Sequence, residues 1–123
     1  MKLRTRGNSL RLRLTRSEVA RLAEGGEVTD RVEFGAGAAL SYTIASANVP
    51  HVRATLEGAH VRVEAPPAVV RDWAATEQVG FEGSQPLDGG RALKILVEKD
   101  WTCLTKREGD EDVDTYPHPH ETC

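Results

Sequence analysis

A chain of 123 residues, 39% hydrophobic and 28% charged, is long enough to bury a core as one domain and too apolar to be disordered. Its net charge of −3 gives no general pull toward nucleic acid or anionic lipid, and no apolar run approaches the ~18 residues of a membrane span. Cys103 and Cys123 are too few for a disulfide framework, and Met1-Lys2-Leu3-Arg4 leads into no apolar run. The expectation is a cytoplasmic protein with reduced thiols.

The first residues read as a strand-turn-strand-helix unit. Leu3 to Arg6 suggest a short strand, and Gly7-Asn8 is a turn signal. Leu10, Leu12 and Leu14 then alternate with Arg11 and Arg13, so the leucines face a core and the arginines face water or a partner. Thr15 and Glu18 have capping-box spacing, and Val19, Leu22 and Ala23 form the buried stripe of a short helix that Gly25 ends.

Glu27–Phe34 reads as a strand with Val28, Val32 and Phe34 on one side. Gly35–Ala38 reads as a turn and Leu40–Ala45 as the next strand. Val52–Ala65 is the clearest hairpin. A type II′ turn at Gly58-Ala59 pairs Leu56 with Val61 and Ala54 with Val63 inside, and Glu57 with His60 and Arg53 with Glu64 outside. Pro66-Pro67 starts a second helix with Val69, Val70, Trp73 and Ala74 as its apolar stripe. Gln78–Gly90, rich in glycine, reads as a surface loop with a short strand at Val79–Phe81. Ala92–Glu98 reads as the central strand. This order predicts a single-domain α+β fold over residues 1–104: one mainly antiparallel sheet, two short helices on one face, and no internal repeat. Residues 105–123 form an acidic tail with proline and histidine.

Two resemblances rest on these residues. Lys2–Glu18, with its Lys-Leu-Arg-x-Arg-Gly-Asn-Ser run, and Glu98-Lys99-Asp100-Trp101-Thr102-Cys103-Leu104 resemble the two ends of a small uncharacterised bacterial family, which implies no activity. Gly7–Leu14, Ser17-Glu18-Val19 and Gly25–Val28 are similar to the swapped-hairpin DNA-binding domain of AbrB/MazE-type regulators. That resemblance implies a homodimer presenting basic residues to DNA. Thr15-Arg16 departs from the proline that family usually carries before its helix.

Three chemistries are open. Cys103, His118, His120 and Cys123 have the thiolate and imidazole donors that Zn²⁺ or Cu⁺ prefer, though their spacing matches no standard finger. The run Asp110, Glu111, Asp112 and Asp114 lacks the glycine and terminal glutamate of an EF-hand. Arg4, Arg6, Arg11 and Arg13 could share one exposed face and bind phosphates or an acidic partner. Residues 1–25 carry seven cations against Glu18 and Glu24. Residues 98–123 carry eight acids against Lys99, Lys106 and Arg107, which places the acidic end near the basic start in the simplest fold. No nucleophile motif or catalytic set stands out, and the expectation is a protein that acts by binding, with no cofactor beyond that Zn²⁺ or Cu⁺ candidate.

Overall fold

The structure, a computed structural model, describes residues 1–101. The elements are β1 (Lys2–Arg6), β2 (Ser9–Leu14), α1 (Arg16–Ala23), β3 (Glu27–Gly35), β4 (Ala38–Ser46), β5 (Arg53–Glu57), β6 (His60–Ala65), α2 (Pro67–Ala75), β7 (Gly80–Pro86) and β8 (Ala92–Lys99). The α+β single domain expected from the sequence is present.

The sheet is divided in two, however. One sheet has the order β1-β2-β8-β7 and the other β3-β4-β6-β5. Each is built from two antiparallel hairpins joined through their second strands, with β2 parallel to β8 and β4 parallel to β6. Hairpins are local and readable, whereas the parallel seams join residues far apart in the chain and leave no mark on strand periodicity.

The chain is also a structural duplication, contrary to the expectation of no repeat. A ββαββ unit occurs twice. The first copy gives β1–β2 to one sheet and β3–β4 to the other, and the second copy gives its hairpins the other way round. Register repeats as well. Lys2↔Arg13 and Arg6↔Ser9 recur as Arg53↔Glu64 and Glu57↔His60, and Glu27↔Ala45 recurs as Gly80↔Glu98. Even the cap bonds match: Asp100 N–H donates to Leu14 O at 2.8 Å, and Ala47 N–H to Ala65 O at 3.0 Å. Gly7/Gly58, Arg11/Arg62, Val19/Val70, Ala23/Ala74, Ala39/Ala92 and Leu40/Leu93 keep one identity across the copies, too few to reveal the repeat by eye.

The core follows the predicted faces. Leu12, Leu14, Leu22, Ile44, Val63, Val70, Trp73, Ile95 and Val97 are fully buried. Trp73 meets Phe81 edge-to-face at 5.1 Å, and its indole N–H donates to Val79 O at 3.1 Å, which satisfies the one polar atom it buries. α1 and α2 pack on each other at the strand ends away from the hairpin turns. Glu18 Oε1 accepts from the Thr15 N–H at 2.8 Å, as the capping box requires. In the second hairpin every predicted pair is present, but Leu56, expected inside, is 69% exposed next to the turn. The only positive φ in its turn is at Gly58, 56°, as a type II′ turn wants.

Two expectations need correction. Gln78–Gly90 is largely strand: among the described residues β7 pairs only with β8, and as an edge it tolerates Pro86 at its end. Its glycines have steric reasons: a Cβ on Gly80 would lie 2.5 Å from Val97 O, and one on Gly83 would lie 2.8 Å from Val52 Cβ. Val32 shares the inward side of the strand with Val28 yet is 45% exposed, and Phe34, at the register break between Glu33 and Gly35 where alternation fails, is 70% exposed. Strand β3 runs nine residues against five in β1, so among the described residues no facing strand covers its far end.

Candidate anion-binding face

The outer face of β1–β2 is built by alternation. With Leu3, Leu10, Leu12 and Leu14 turned inward, Lys2, Arg4, Arg6, Ser9, Arg11 and Arg13 turn outward. Register sets Lys2 opposite Arg13 and Arg4 opposite Arg11. Like charges directly across a ladder are unfavourable, so this hairpin carries a cost that its twin avoids. At the equivalent places β5–β6 sets Arg53 opposite Glu64, with Arg53 Nε donating to Glu64 Oε1 at 3.0 Å.

The two family-like segments at the chain's ends meet here. β8 lies beside β2 and brings Glu98 level with Arg13. Glu98 Oε1 stands 3.3 Å from Arg11 Nε and 3.6 Å from Arg13 Nε, with all three side chains partly buried. Both are ion pairs without hydrogen-bond geometry, and Arg13 Nε and Glu98 Oε1 are buried without a hydrogen-bond partner. Asp100 reaches Lys2 Nζ at 3.2 Å. Lys99 turns the other way, donating to Thr76 O at 2.6 Å with its ammonium 5.9 Å from the ring centroids of Trp73 and Trp101. Asn8, on the first turn, donates through Nδ2 to Ala92 O at 2.9 Å and accepts from the Lys94 N–H at 3.1 Å.

So the expected meeting of acidic end and basic start holds for Glu98 and Asp100. Of the four candidate arginines, Arg11 and Arg13 are neutralised, and Arg4 is exposed with no ionic or hydrogen-bond partner among the described residues. Arg6 is exposed and has a contact of its own. Beyond β2 the face continues into an open depression of about 470 Å³ lined by Arg11, Lys94, Leu96, Glu82 and Ser84. The equivalent face of the other sheet closes on itself. Ser41 Oγ and His60 Nδ1 lie 2.6 Å apart, Thr29 and Thr43 hydroxyls 2.7 Å apart, and Arg62 Nη2 donates to Glu27 Oε2 at 2.7 Å.

Ser41–His60 has the reach of a nucleophile and base, but no carboxylate bonds to the imidazole among the described residues. It reads as a ladder contact. Arg53 first, then Arg62, hold the Glu64 carboxyl below the usual range against the opposing effect of burial. The candidate metal ligands Cys103, His118, His120 and Cys123, and the acidic run from Asp110, lie outside the described residues. Among the described residues no group of three or more His, Cys, Asp or Glu could hold a metal ion, and no helix is long and apolar enough to cross a membrane.

The profile of a family, described as a family of unknown function (DUF7009), matches residues 1–120, both end segments included. The chain belongs to DUF7009. No curated protein and no solved structure matches it. In this DUF7009 chain, β2 and β8 are thus neighbouring strands, and Glu98 on β8 answers Arg11 and Arg13 on β2. The pairing of Glu98 with Arg11 and Arg13 was beyond sequence reasoning, since the spacing of an ion pair across a parallel seam has no local signature.

Proposed function

We propose that this chain is a binding module, without a catalytic reaction of its own, that takes an acidic partner on the outer face of β1–β2. The observation that carries this is the contrast between twin hairpins. The same strands, turn and register occur in β5–β6, where Arg53, Thr55, Glu57, Arg62 and Glu64 balance to no net charge. The hairpin itself therefore does not require a cation at each of Lys2, Arg4, Arg6, Arg11 and Arg13. Glu98 and Asp100 answer Arg11, Arg13 and Lys2 in part, and the positive charge left over suits an anionic ligand, because clustered positive charge raises its local concentration and association rate.

Retention on immobilised poly-glutamate at low salt tests this. Arg4→Glu should weaken retention about tenfold, and Thr55→Glu, at the equivalent place in the twin, should not. No retention of the unaltered chain would overturn the reading. Nucleic acid on the same face is the second reading. The exchange of hairpins between sheets is in keeping with the swapped-hairpin resemblance. A mobility shift with duplex DNA stronger than the poly-glutamate interaction would favour it.

A further inference from the structure

The duplicated fold has two equivalent seams where the sheets' edge strands approach, and they are finished differently. At the β5/β7 seam Gln85 spans the gap. Its Oε1 accepts from the Ala54 N–H at 2.9 Å and its Nε2 donates to Ala54 O at 3.0 Å. Those two backbone groups point away from β6 because Glu57↔His60 closes a two-residue turn, which makes Ala54↔Val63 a pair without mutual hydrogen bonds. The carboxamide thus plugs an open strand edge.

At the β1/β3 seam the same places hold Leu3 and Val32. By the same register the N–H and C=O of Leu3 and Thr5 point away from β2, and a valine offers them nothing. Among the described residues the seam is bridged at the Met1 end, where the ammonium lies 2.9 Å from Asp30 Oδ2 and 2.7 Å from Glu18 Oε2. Toward the hairpin turns Thr5, Val32 and Phe34 are exposed.

An unplugged edge is a template for another strand. We infer that β1 accepts an extended acidic peptide segment of a partner protein, added edge-on to the sheet. This rests on the acidic-partner reading above and names the partner's form. Lys2, Arg4 and Arg6 alternate along β1 with the edge-facing Leu3 and Thr5. A strand laid beside them sets every second residue against a cation and the residues between against Val32 and Phe34. Acidic residues alternating with apolar ones fit both rows. Nucleic acid would meet the cations, and its phosphates could accept from the N–H groups, but it has no use for the backbone acceptors or the apolar row.

The test titrates the full chain with a labelled, end-capped peptide of alternating aspartate and valine, and with the same peptide N-methylated at its valines. Backbone pairing makes the unmodified peptide bind at least tenfold tighter. Val32→Gln, which installs the twin's plug at an exposed position, should cut that binding to the level of the methylated peptide. Thr5→Pro removes an edge donor but no ladder bond and should do the same. Circular dichroism of both variants confirms that they are folded. Equal binding of the two peptides overturns strand addition while leaving a charge-only acidic partner in place. Failure of both peptides, with poly-glutamate also not retained, removes the two readings together. Tighter binding of duplex DNA than of the peptide, unaffected by Val32→Gln, also overturns it.

Discussion

Gln85 holds Ala54 by both its backbone N–H and its carbonyl, 31 residues back along the chain and in the other sheet. This paired contact is the side-chain counterpart of one strand-ladder step. Replacing Gln85 with leucine leaves two half-buried backbone groups without partners and should cost about 2 kcal/mol in urea denaturation. Gln85→Glu keeps the acceptor, loses the donor and turns a carboxylate toward Ala54 O, so it should be the more harmful of the two.

Glu98 neutralises Arg11 and Arg13, so its removal should separate stability from binding. Glu98→Gln leaves two partly buried guanidinium groups facing each other, and should lower stability by about 1–2 kcal/mol after allowance for their partial exposure. The same change adds one unit of positive charge to the proposed binding face and should strengthen retention on poly-glutamate. A variant that loses stability and also loses retention would show that the anion site lies elsewhere.

The Met1 ammonium predicts a stability plateau with two edges. Burial works against its charge, but hydrogen bonds to Glu18 and Asp30 outweigh that and raise its pKa above the ordinary 8.0. The Glu18 carboxyl, for which burial is again the largest opposing effect, is held below its ordinary 4.5 by the ammonium and by Thr15. A raised amine contributes stability that is present below its unfolded pKa and lost as pH climbs through the folded one. A lowered carboxyl contributes stability that is present above its unfolded pKa and lost as pH drops through the folded one. Melting temperature should therefore be flat between about pH 5 and 8 and fall on either side. Adding residues ahead of Met1 should remove the alkaline edge and lower stability by about 1 kcal/mol, read as Tm against pH.

Because each ββαββ copy gives one hairpin to each sheet, neither copy can complete a sheet alone. Cleavage in the connection Ala47–Val52 should leave the two pieces associated and folded. Separately expressed pieces should be unfolded alone and regain β-sheet circular dichroism on mixing. Independent folding of either piece would contradict the exchange of hairpins.

Alternation of Leu10, Leu12 and Leu14 with arginine, Gly58 at a positive φ, and prolines opening α2 are local facts, and from them the strands, the second hairpin's register, both helices and most of the core were legible. Periodicity also turned Arg4, Arg11 and Arg13 outward, since side chains of one strand must alternate faces. Tertiary structure alone decided the split into two sheets, the parallel seams β2–β8 and β4–β6, and the extension of the short strand at Val79–Phe81 through the glycine-rich stretch to Pro86, where Gly80 and Gly83 answer to Val97 and Val52 rather than to their neighbours in sequence. It also decided that Arg11 and Arg13 are met by Glu98 and that Gln85 plugs one seam while Val32 leaves the other open. Local geometry acts over a few residues, so one stretch of sequence records it. A contact between distant strands depends on how whole sheets close on each other, and no single stretch carries that.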